Sequence, residues 1–141
     1  MYELKRVKEI HEQLKIGDEV LDIVIRPEEI VREYNTAVAD IVEAQRAVNA
    51  AKKTNKEDAG IAAIEQYGKA LVQIMVVLLG EENTQKITAY YDNNVVEMGV
   101  EITPYLTGVI GPQIAKAAEI MRMSARANFR AAGRKSRLFK R

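Results

Sequence analysis

Apolar residues recur along this chain in two rhythms, and the change from one to the other falls at Arg26-Pro27. Over the first 25 residues the period is two. Ile10, Leu14 and Ile16 share one parity while His11, Gln13 and Lys15 hold the other; Gly17-Asp18 marks a turn, and Leu21, Ile23 and Ile25 resume the alternation. The pattern predicts a β-hairpin whose second strand covers 19–25. Glu12 and Val24 break the alternation, and Leu4, Val7, His11 and Leu14 also fit a helical stripe, which is the rival reading of the first strand.

From Pro27 onward the period is helical. Proline suits the first helical position, where its missing N–H costs nothing, and Glu28 and Glu29 meet the positive end of the helix dipole. Ile30, Tyr34, Ala37, Ile41, Gln45 and Val48 recur at three- and four-residue spacing to about Lys53, with Val31, Val38 and Val42 widening the stripe. Thr54-Asn55-Lys56-Glu57-Asp58 reads as a polar loop. A second helix over 59–79 is expected to bury Ile61, Ile64, Leu71, Val72, Met75 and Leu78, with its nearly all-apolar end deepest and Gly80 as its C-terminal cap. A third, over 82–91, presents Ile87 and Tyr90-Tyr91 and stops at Asp92-Asn93-Asn94. A fourth, over 94–110, carries Val95, Met98, Ile102, Leu106 and Val109, and Pro104 should kink or restart it. Gly111-Pro112 ends that segment, and a fifth helix runs from Pro112 to about Ala132. The expected fold class is mainly α: a helical bundle of about five helices with a short N-terminal β-hairpin. Three parts follow: a hairpin plus helical core over 1–111, an amphipathic basic helix over 112–133, and a disordered basic tail over 134–141.

Composition narrows this picture. Hydrophobic residues make up 48% of the 141 residues, yet there are only two Phe, six Tyr and no Trp, so the core must be aliphatic, which suits helix packing. No cysteine is present, which removes disulfides, thiolate nucleophiles and thiolate metal sites together. The charged start shows no secretory h-region. The most apolar run, Ala70 to Leu79, is interrupted by Gln73 and falls short of the roughly 20 residues of a membrane span. A cytoplasmic protein is expected. The net charge of +1 hides an asymmetry: residues 122–141 carry eight Lys or Arg and no acid, while the other 121 residues hold thirteen basic and twenty acidic residues.

Chemistry finds little to work with. There is one His, and no GxSxG, HExxH, P-loop or dinucleotide fingerprint occurs. His11 reads as a surface residue on a strand face. Glu28/Glu29 and Glu81/Glu82 sit at expected helix starts, where the dipole accounts for them. Asp92-Asn93-Asn94 lacks the glycine and distal glutamate of a calcium loop and reads as a helix stop and N-cap. No enzyme activity, cofactor or metal is expected. Two candidate interfaces remain. Arg122, Arg126, Arg130 and Arg134 are spaced by four and form a slanting band on one helix flank, beside Met121, Ala125 and Phe129, suited to an anionic partner. Tyr90, Tyr91 and Tyr105, near helix ends, are candidate anchors for a protein partner.

The run Leu78-Leu79-Gly80-Glu81-Glu82-Asn83-Thr84-Gln85-Lys86-Ile87, followed by a short helix and Val95 to Ile102, resembles the small tail assembly chaperones of long-tailed bacteriophages and prophages of Gram-positive bacteria. The opening Leu14-Lys15-Ile16-Gly17-Asp18-Glu19 is similar to that family's hairpin. The resemblance covers about 14–110, and the stretch 112–141 departs from it. It implies a non-enzymatic chaperone that escorts the long helical tape measure protein in the host cytoplasm and recruits tail tube subunits, with self-association expected. Two other classes stay open: a nucleic-acid-binding accessory protein acting through the Arg-rich helix, and a structural virion component.

Overall fold

The computed structural model describes residues 9–139, with side chains described as far as Ala127 apart from Ser124. The chain is mainly helical with one two-stranded antiparallel hairpin at its start. Strands β1 (Ile10–Ile16) and β2 (Glu19–Ile25) pair in the register Ile10–Ile25 through Ile16–Glu19. Gly17 adopts φ +56°, the left-handed first position of a two-residue Gly-X turn, which matches the strand twist. The inner face carries Ile10, Leu21, Ile23 and Ile25, all buried, with Leu14 and Ile16 half-buried. Glu12, which breaks the apolar alternation, also lies on this inner face. It accepts a hydrogen bond from Gln113 Nε2 at 2.8 Å, so a polar residue is tolerated where a distant glutamine meets it.

Helix α1 (Pro27–Thr54) and helix α2 (Glu57–Leu79) form a long antiparallel pair. The polar loop expected over 54–58 shrinks to Asn55-Lys56, because Asn55 takes the left-handed conformation (φ 54°) that closes the first helix, and Glu57 and Asp58 already serve the first turn of the next. At the far end of α2, Gly80 turns the chain with φ +86°, a conformation costly for any residue with a Cβ. Helix α3 (Glu81–Tyr90) starts there. Thr84, 2% exposed, donates its hydroxyl to the Gly80 carbonyl at 2.7 Å, and Asn83 Nδ2 bridges the Leu79 carbonyl at 2.9 Å and the Asp22 carbonyl at 3.0 Å. One glycine corner thus fixes both the α2–α3 angle and the seat of the hairpin. Lys86 supports the same joint through Glu19 at 2.9 Å.

Helix α4 begins at Val95, and it changes the expected count. Its stretches Val95–Tyr105, the π-helical Leu106–Ile110 and Gly111–Phe139 follow one another with helical backbone at both junctions. The fourth and fifth helices expected from the sequence are therefore one, and the bundle has four helices. Neither Pro104 nor Gly111-Pro112 stops it. A proline in a regular α-helix clashes with the carbonyl four residues back. Between the two prolines the backbone widens by one residue per turn, with the Gly111 N–H donating to the Leu106 carbonyl, five residues back. Side chains add bonds on either flank of this turn: Thr107 Oγ1 donates to Thr103 O, which also takes the Leu106 N–H, and Gln113 Nε2 donates to Val109 O, both at 2.9 Å. The boundary expected at 111/112 lies inside this helix, with Ile110 and Ile114 both in the core. The tail expected to be disordered from 134 is helical backbone to Phe139. Gly133 costs only about 1 kcal/mol against alanine, and its neighbours are good helix formers.

The core gathers Leu71, Met75 and Leu78 of α2, Ile87 of α3, Met98, Ile102, Leu106, Ile110 and Ile114 of α4, and the hairpin isoleucines. Taken whole, α2 is long and apolar enough to cross a membrane, contrary to the expectation from the interrupted run. In this fold Leu71, Ile74, Met75, Leu78 and Leu79 bury that apolar surface against protein. Asp92 and Asn93 take positive φ, and Asn94 caps α4 by accepting from Glu97 N at 3.2 Å. Asn94→Ala should cost about 1 kcal/mol, read as a lower urea midpoint at unchanged slope.

Candidate partner-binding surface

The apolar stripe of α2 outruns its partners. Gly68 and Gly99 let α2 and α4 approach closely: a Cβ on Gly68 would lie 3.2 Å from Val95, and one on Gly99 only 2.7 Å from the Tyr67 hydroxyl. Position 95 thus meets α2 near its middle, and the first turns of α2 lie beyond the start of α4. Ile61 and Ile64, expected on the buried face, are instead 53% and 43% exposed. Their helical phase is as expected, but among the described residues α4 does not cover them. On α4, Val96 and Val100 are also exposed, the latter at 68%.

Ile64, Val96 and Val100 frame a groove of about 630 Å³ between three helices. Gln45, Val48, Asn49 and Lys52 of α1 form one wall, Ile64 and Tyr67 of α2 the floor, and Val96, Val100, Thr103 and Pro104 of α4 the other wall. Thr103 Oγ1 is enclosed and has no hydrogen-bond partner among the described residues. The groove is mostly apolar with a polar rim, open along its length, and suited to an amphipathic helix laid between α1 and α4. A second groove of about 620 Å³, between Arg32, Glu33, Asp40 and Glu43 of α1 and Gln66, Lys69 and Gln73 of α2, is polar throughout its rim.

The residues singled out from the sequence do not converge on this groove. Tyr90 is 54% exposed and packs edge-to-face on half-buried Tyr91, with ring centres 5.1 Å apart. The pair stands by the hairpin turn, where a Cβ on Gly17 would lie 3.4 Å from the Tyr90 ring. Tyr105 is half-buried elsewhere, with its hydroxyl enclosed and unpaired among the described residues. Burial first, and then the Glu12 charge, push its ionisation above the usual tyrosine range. Arg122 and Arg126 are exposed on α4, and the side chains of Arg130 and Arg134 lie outside the described ones. His11 is exposed and meets Glu9 at 3.2 Å. Among the described residues no three His, Cys, Asp or Glu side chains gather as a metal site would require.

Tyr105 yields a two-part expectation. Its raised native pKa means the folded state holds the proton more tightly than the unfolded chain. Its contribution is complete below about pH 10 and is lost as pH rises through the native value. Tyr105→Phe should flatten the alkaline fall of stability between pH 9 and 11. At pH 7 it should be neutral to slightly stabilising, because it removes an unsatisfied hydroxyl. Urea titrations at the three pH values read both.

The chain matches no protein-family model, no curated protein and no solved structure. The groove residues escaped sequence reasoning because their spacing is that of a core. A usable signal was present in the two glycines, Gly68 and Gly99, which mark where the close helix contact falls and so where it ends.

Proposed function

We propose that this protein is a non-enzymatic helical chaperone that works by sheltering an apolar helix of another protein. The observation that carries the reading is the apolar groove lined by Ile64, Tyr67, Val96 and Val100, three of which are exposed aliphatic side chains on a well-packed framework. Exposed apolar surface concentrated in a groove marks a binding site more often than it marks a fault in packing.

Within that class, the particular reading is a phage tail assembly chaperone. It rests on the resemblance over 14–110 and on the glycine corner at Leu79-Gly80-Glu81, which here joins the apolar helix to the hairpin. The partner is then the tape measure protein, a long and largely helical chain, with tail tube subunits recruited to the complex in the host cytoplasm. Exposed Arg122 and Arg126 favour nucleic acid as the second reading.

The test is co-expression with the proteins encoded beside it, followed by nuclease treatment and purification at low and high salt. A long helical protein that stays bound through nuclease and salt is the expected result. Recovery of nucleic acid alone, lost at high salt, would overturn the reading.

A further inference from the structure

The hairpin carries a second surface, independent of the groove. The Asp22 carbonyl accepts from Asn83 Nδ2 at 3.0 Å, so it points away from β1. Gln13–Asp22 is therefore a pair whose backbone groups turn outwards on both strands. Because antiparallel ladders alternate, His11–Val24 and Lys15–Val20 do the same, while Ile16–Glu19 exchanges its bonds across the two-residue turn. On β2 the outward edge is covered by Asn83, with Lys86 reaching Glu19 beside it. On β1 the N–H and C=O of His11, Gln13 and Lys15 face away from the sheet, and among the described residues no backbone group meets them. The strand is regular over seven residues, with neither bulge nor proline to blunt the edge.

We propose that β1 pairs antiparallel with β1 of a second copy, about a two-fold axis at Gln13, giving a four-stranded sheet. That register uses every outward backbone group of the strand. Gln13 faces Gln13, and His11 faces Lys15 twice, so all six outward N–H groups find carbonyls. On the inner face Ile10 lies opposite Ile16 and Glu12 opposite Leu14, which covers the half-buried Leu14 and Ile16. The neighbouring registers are worse. A slip of two residues one way sets Glu12 against Glu12, and a slip either way drops the backbone bonds to four. A two-stranded sheet has little stability of its own, and doubling it adds ladder bonds without altering the helices. The interface is isologous and closes on itself as a dimer.

Because the chain has no cysteine, single cysteines report the register directly. In the full-length protein, Gln13→Cys places the two introduced residues about 5.5 Å apart at Cα, within disulfide reach, and should cross-link under mild oxidation. In Lys15→Cys the two sites stand about 14 Å apart along the strands and should stay reduced. Gln13→Pro removes an N–H that serves only the contact between copies, leaving the β1–β2 ladder whole. Sedimentation equilibrium should show a wild-type dimer and, for Gln13→Pro, dissociation at least about tenfold easier. A wild-type chain that stays monomeric, Lys15→Cys cross-linking as readily as Gln13→Cys, or a folded Gln13→Pro variant with unchanged affinity would each overturn the proposal. If Gln13→Pro loses its circular dichroism, the cysteine pair decides alone.

Discussion

Ile64→Asp combined with Val100→Asp should leave the chain folded and weaken capture of a partner helix by about a hundredfold or more. Ile64 is 43% and Val100 68% exposed, so the isolated protein loses little by the change: about 1 kcal/mol, visible as a small drop in the urea midpoint. In a complex the same positions would be covered. Burying an aliphatic side chain contributes about 1.5–3 kcal/mol, and an uncompensated carboxylate in its place costs more. At about 1.4 kcal/mol per tenfold, two such positions exceed a hundredfold. The measurement is retention of the co-purified helical partner beside the circular dichroism of the variant alone. A variant that keeps both its fold and its partner would remove the groove from the mechanism. Arg122→Glu with Arg126→Glu serves as the contrast, since those changes would abolish binding if the contact were to phosphate.

Leu71→Ala should destabilise the protein by about 3–4 kcal/mol, whereas Ile61→Ala on the same helix should cost less than about 1 kcal/mol. Leu71 is fully buried, and its Cδ2 sits beside Gly99, where a Cβ would touch it at 3.4 Å; truncation leaves a cavity between α2 and α4 that the glycine contact cannot fill. Ile61 is 53% exposed and leaves no cavity. Against a total stability of about 5–15 kcal/mol, the first loss is a large fraction and the second a small one. Paired urea titrations at pH 7 give both values. Equal losses would mean that the first turns of α2 are packed after all, and the groove would then be an interior seam.

The contrast between these two positions separates what residue identity and spacing decide from what packing decides. The hairpin was legible from Ile10 to Ile25 because side-chain direction in a strand depends only on parity, and its second strand falls where the alternation put it. Helix starts at Pro27, stops at Gly80 and at Asp92-Asn93, and the cap at Asn94 were legible because they depend on a few neighbouring residues. The candidate site was legible only in its ingredients. Spacing shows that Ile61, Ile64, Leu71 and Met75 share a stripe, but it cannot show how far along that stripe the next helix reaches.

Local chemistry therefore determined the element types, their order, the aliphatic core and the poverty of reactive groups, since each depends on residue identity or on contacts within one or two turns. Tertiary structure decided the rest. Two prolines, expected to divide a helix, lie within one continuous helix with a π-helical turn between them, and the buried run Ile102, Leu106, Ile110 and Ile114 stays continuous on the core side only if the helix goes on. Likewise Ile64 and Val100 became a groove rather than a core because α4 starts beside Gly68 and leaves the first turns of α2 uncovered. Whether an apolar stripe is interior or interface depends on where its partner ends, and that is a property of the packed chain.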